Sequence, residues 1–155
     1  LDGVNRFTAQ PDFKVVTKNG VECHIMTKVV VIYRMDNTLR INNQFPVGSC
    51  EYKQTLLHAQ RHIEVAKNFQ QQSAPVVGEF LMKSMDGQGG MQAGKYRENE
   101  TNGILQKKLT DLLAGYAKYL NDEHRKLESK ILDNPEEMKK MFSACPGWQM
   151  PEVTH

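Results

Sequence analysis

No run of apolar residues in this chain approaches the length of a bilayer span. The longest, Val29-Val30-Val31-Ile32-Tyr33, suits a buried strand, so no membrane span is expected. A basic stripe is also missing. The 20 Lys and Arg and 18 Asp and Glu are scattered and leave a formal charge of +2, without the cation clusters and interleaved aromatics that nucleic-acid binding requires. Cysteine is sparse. Cys23, Cys50 and Cys145 are too far apart for a C-x-x-C module, and an odd count allows at most one internal disulfide. Which two would pair is open, and three ordinary thiols fit as well. Internal repeats and low-complexity segments are absent. There is no Met at the first position and no charged-then-apolar leader, which reads as a processed or trimmed chain with any signal peptide out of view.

What is present suits one domain over residues 1–155, since 39% hydrophobic and 25% charged residues among 155 is enough for a core of its own. The first half reads as β-rich. Phe13 to Thr17 and Val21 to Tyr33 are dense in Val, Ile and Thr, Asn19-Gly20 is a two-residue hairpin turn, and Asp36-Asn37 marks another turn before Leu39 to Ile41. Pro46, Val47 and Gly48 then break the chain, and Ser49 stands where a helix N-cap belongs, with Glu51 in the first turn.

Cys50 to about Gln72 contains no Gly or Pro, and Leu56, His58, His62, Val65, Ala66 and Phe69 recur at helical steps. From Ser73 to Gly103 regularity fades through Pro75, the Gly-rich stretch 86–90 and the polar run 98–102. This predicts a mobile connection, a candidate substrate-facing flap, with room for a short element around Val76 to Lys83. A second long helix is predicted from Ile104 to Asp133 on the stripe Leu109, Leu113, Ala117, Leu120, His124, Leu127 and Ile131. Asn134-Pro135-Glu136-Glu137 then opens a short helix to about Phe142. The expected fold class is α+β, a small antiparallel N-terminal sheet packed on two long helices.

The chemistry concentrates at His58 and His62. Imidazoles four residues apart on a helix face can grip one metal ion, as in the zincin motif H-E-x-x-H, where the Glu is general base to zinc-bound water. Zinc in such a site takes a third protein ligand. His124, in the middle of an apolar stripe, is the expected one, with Glu128 one turn on as reserve ligand or as the carboxylate that orients an imidazole. His24 and His155 have no such placement. Tyr116, two turns before His124, is a candidate oxyanion donor, although Tyr at that spacing is more often packing. Arg61 and Arg125 read as solvated cations.

On these residues the chain resembles the small secreted bacterial zinc-dependent proteases of the zincin clan that use a His as third ligand. The strand-then-helix entry, His58-x-x-x-His62 and His124 carry the resemblance over about half the chain. It departs from the metzincin pattern, which needs Gly at Val65 and His at Asn68, and from the zincin motif at Ala59, where the Glu belongs. The resemblance implies a zincin-like fold, Zn2+ as cofactor, a protein or peptide substrate and a secreted or periplasmic location. It further implies an effector or toxin domain with an inhibitor or immunity protein as partner.

Alanine can neither take a proton from zinc-bound water nor return it to the leaving amine. The expectation is therefore a zinc endopeptidase in inactive form, with Ala59 introduced in place of Glu, the usual experimental substitution. The alternative is a natural pseudo-peptidase, a binding module with a structural metal. A third reading is a metal-free α+β interaction domain whose His residues are ordinary core.

Overall fold

The computed structural model describes the backbone of residues 2–41, 44–86 and 98–149, and their side chains other than those of residues 2, 18, 21–23, 85, 86 and 98–102. Its order is β1 (Asp2–Lys18), β2 (Val21–Thr38), α1 (Cys50–Asp86), α2 (Glu98–Ile131) and α3 (Pro135–Ser143), an α+β chain with one two-stranded antiparallel sheet. It divides into two compact units. One comprises Leu1–Val4, Met35–Gln70 and Asn121–His155, the other Asn5–Arg34 and Gln71–Leu120.

Asn19 and Gly20 both take positive φ, 53° and 74°, the succession that a type I′ turn requires and that Asn-Gly supplies at least steric cost. The hairpin is thus set as predicted, but its strands are longer. β2 runs straight through Asp36-Asn37, and Leu39 to Ile41 is not a strand. The backbone ladder with β1, which extends back to Asp2, outweighs the local turn preference. Pro11 is tolerated because each strand of a two-stranded sheet has a free edge. In β1 the odd residues Asn5 to Phe13 are the less exposed ones. In β2 His24 and Met26 are, then Val29, Val31 and Tyr33, with Thr27 and Lys28 both outside. That slip of one residue marks a bulge in β2.

Within the second unit Tyr33 donates to Asn5 Oδ1 at 2.6 Å and stacks on Phe7 with ring centres 4.7 Å apart. Burial pushes the Tyr33 phenol up to about 12. Val77, Leu81, Leu105, Leu109, Leu113 and Leu120 fill the core. Tyr116 stacks on Phe80 at 4.2 Å and meets Phe7 at 6.4 Å.

The predicted connection over 73–103 is largely helix. α1 continues past Gln72 and through Pro75 to Asp86, α2 begins at Glu98, and only 87–97 of that stretch lies outside the described residues. A proline inside a helix costs about 3 kcal/mol. Ala66, Ser73, Val77 and Leu81 nevertheless carry the buried stripe across it, and burying Val and Leu contributes roughly 1.5–3 kcal/mol each. Side-chain burial therefore outweighs the broken ladder.

The first unit is tied at its ends. Ser49 N–H donates to Pro46 O at 2.9 Å across a turn in which Gly48 takes φ 91°, and Ser49 Oγ then accepts from Tyr52 N–H at 3.1 Å as the N-cap of α1. Asn134 caps α3, accepting from Glu137 N–H at 3.0 Å with Pro135 at the first position, as the sequence predicts. Cys50, the first residue of α1, is disulfide-bonded to Cys145 just beyond α3, which settles the pairing; the side chain of Cys23 lies outside the described residues. Trp148 packs on Phe142 and Phe45 next to this bridge.

Cross-linking positions 95 residues apart restricts the unfolded chain by about 4–5 kcal/mol in the chain-entropy account. Urea unfolding of a Cys50→Ser/Cys145→Ser variant should show a loss of that order. A loss below about 1 kcal/mol would mean that the unfolded chain is already restricted without the bridge.

Candidate metal centre

His58 and His62 project from one face of α1, one turn apart. Their Nε2 atoms are 3.0 Å from each other, and Asp133 Oδ1 is 3.2 Å from the first and 3.1 Å from the second. Three lone-pair atoms so placed match the donor set of a metal centre. With zinc bonds of about 2.0–2.2 Å, tetrahedral ligands lie ~3.3 Å apart, so one ion fits after outward shifts of a few tenths of an ångström.

Asp133 is brought there by the way α2 ends. Leu132 N–H and Asp133 N–H both donate to the carbonyl of Glu128, at 2.8 and 3.0 Å, and Leu132 is fully buried. Pro135 disfavours helix at Asn134, and the chain turns between the two helices at the residue that reaches the imidazoles. Asp133 is the site residue that sequence reasoning missed by leaving it inside helix two. Its signal was its place directly before an N-cap and a proline, where no helix continues.

His124 does not join the cluster. It is 1% exposed, lies against Phe69 and Gly3, and has Nε2 without a hydrogen-bond partner, 3.6 Å from Glu128 Oε1. Glu128 stands between the two His. Its Oε1 accepts from His62 Nδ1–H at 2.8 Å, which fixes the tautomer of His62 and turns the Nε2 lone pair toward His58 and Asp133. Glu128 thus orients His62, and Asp133, in place of the expected His124, is the third member of the cluster. Ala59, at the Glu position of the motif, is buried. Tyr116 belongs to the other compact unit, where it is one ring of an aromatic stack. Arg61 is paired, donating from Nη2 to Glu137 Oε2 at 2.9 Å.

The imidazoles are shifted in opposite directions. His62 is raised above its ordinary 6.5, first by its hydrogen bond to Glu128 and further by Asp133, against the cost of burial. Burial lowers His58, and the neighbouring His62 adds to the effect; burial also lowers His124.

No family model matches the sequence, and neither the curated proteins nor the solved structures compared with it include a match. Among the described residues no helix is long and apolar enough to cross a membrane.

In the metal-free chain the stabilisation from His62 is complete below 6.5 and is lost as pH rises through its raised folded value. That from His124 is complete above 6.5 and is lost as pH falls through its lowered value. His62→Gln should therefore cost more thermal stability at about pH 5.5 than at about pH 8, and His124→Gln the reverse. Equal losses at both pH values would contradict the assignment.

Proposed function

We propose that this chain is a zinc-binding domain of the zincin peptidase type, holding Zn2+ through His58, His62 and Asp133. Ala59 stands where the peptidase motif has its general base, so the chain binds polypeptide and hydrolyses it poorly. The observation that carries the reading is the convergence of two Nε2 atoms and one carboxylate oxygen within 3.0–3.2 Å of one another, in the frame of H-x-x-x-H. Two His and a carboxylate with the fourth position left to water is a catalytic zinc set. The bound metal would supply an acidified water and a Lewis acid for a carbonyl. Glu128 holds His62 in the required tautomer, while neither Ala59 nor any residue of its kind can accept the proton of the water. The Cys50–Cys145 bridge supports a secreted or periplasmic setting, because such bonds persist where the surroundings are oxidising.

Elemental analysis of protein purified without chelators should find about one zinc per chain, lost in His62→Ala and Asp133→Ala and kept in His124→Gln. Ala59→Glu should raise cleavage of unfolded casein by about a hundredfold or more, the usual range for a placed general base. Zinc loss in His124→Gln but not in Asp133→Ala would overturn the ligand set. Ala59 itself favours a second reading, a pseudo-peptidase in which the metal is structural. That reading is distinguished by stoichiometric zinc, a lower melting temperature on chelation and no cleavage by Ala59→Glu.

A further inference from the structure

None of the side chains of α3 is buried, so this helix has no core anchor of its own. Its packing on α1 is open as well. A cavity of about 180 Å³ is lined by Leu57, His58 and Arg61 of α1 and by Glu137, Lys140 and Met141 of α3. Arg61 donates to Glu137 Oε2 at 2.9 Å across it, but the Arg61 side chain is half exposed, and an ion pair so placed holds weakly. Trp148 packs on Phe142 of α3 and on Phe45, and none of these three rings is buried. The covalent hold is the Cys50–Cys145 bridge, which runs from the first residue of α1 to the second residue past α3. All of these residues belong to the compact unit that contains His58, His62 and Asp133.

α3 is coupled in turn to Asp133. Asn134 Oδ1 caps α3, accepting from Glu137 N–H at 3.0 Å, while Asn134 Nδ2 donates back to the carbonyls of Lys130 and Ile131 at 3.0 and 3.2 Å. One side chain therefore grips both sides of the joint between α2 and α3. Asp133 is its immediate neighbour, and its side chain is 46% exposed, so the backbone on either side sets where the carboxylate points. On one side that backbone is tied to the carbonyl of Glu128, and on the other it runs through Asn134 into α3.

We propose that the Cys50–Cys145 bridge is a redox latch on the metal centre. Closed, it keeps α3 in place and with it the Asp133 carboxylate beside the two imidazoles. Opened, it frees α3 to swing about the joint, and the centre is reduced to two imidazoles and releases its ion. This rests on the zinc-binding reading and adds its regulation: the ion is retained in oxidising surroundings and given up to a dithiol reductant. A thiolate of the dithiol attacks Sγ of Cys50, the less buried of the two cysteines, the S–S bond breaks and Cys145 leaves as a thiolate. The second thiol then displaces Cys50 and closes a cyclic disulfide. Two electrons pass from the dithiol to the bridge, and the two thiol protons end on the two cysteines.

Zinc affinity is read by competition with a chromophoric chelator, on the full chain whose zinc content has first been measured. Free thiols bind zinc themselves, so the opened state is represented by Cys50→Ser/Cys145→Ser, checked for a cooperative melting transition. Its affinity should fall by about fivefold or more. In an Asp133→Ala background, where the imidazoles alone remain, the same two substitutions should change affinity by less than about twofold. If the serine variant does not fold, Asn134→Gly decides instead. Glycine is a tolerated N-cap, and this change cuts the joint with the bridge intact, so it should also weaken zinc by about fivefold or more. A smaller loss in the deciding variant, or a larger one in the Asp133→Ala background, overturns the latch and leaves the metal site standing. A parent chain without zinc fails at the elemental analysis, before any competition, and both assignments fall.

Discussion

The hydrogen bond from His62 Nδ1 to Glu128 Oε1 joins α1 to α2 at the point where α2 ends, and much of the candidate centre depends on it. The side chain of Glu128 fixes one imidazole. Its carbonyl takes the two N–H groups that close α2 and so delivers Asp133 to the other side of the same ring. One residue thereby sets both the tautomer of His62 and the position of Asp133 beside it. A buried imidazole, a carboxylate and a helix end are each costly to leave unsatisfied, and here they satisfy one another. His124, enclosed nearby with Nε2 unpartnered, is the group this arrangement leaves over.

Sequence pattern located the pair His58 and His62, the Asn19-Gly20 turn and the caps at Ser49 and Asn134, because each is a local signal whose cause lies within a few residues. It did not find the third member of the cluster, for a physical reason. Periodicity assigns a side chain to a face of a helix but does not say which residue lies across from it, and Asp133 reaches the imidazoles only because its helix has already stopped. Pro75 misled in the opposite sense. A helix breaker is a local cost of a few kcal/mol, and the burial of Val77 and Leu81 that outweighs it comes from contacts distant in sequence. The slip at Thr27 and Lys28 was likewise invisible, since Val29 to Tyr33 is apolar on both faces.

Ala59 divides what the site can hold from what it can do. On the proposed reading, the residues that would hold a metal and orient its ligands are brought together, and the group that would move a proton is not there. A carboxylate at that buried position would need a polar partner, and a metal-bound water is the partner the motif provides. The absence of the base is therefore compatible with a well-packed helix, which neither requires nor misses it.

The most direct measurement is anomalous diffraction at the zinc edge from crystals of the chain grown with zinc. The account predicts one peak within bonding distance of His58 Nε2, His62 Nε2 and Asp133 Oδ1, with Glu128 still on His62 Nδ1. A peak coordinated by His124 in place of Asp133, or no peak at the His pair, would contradict it.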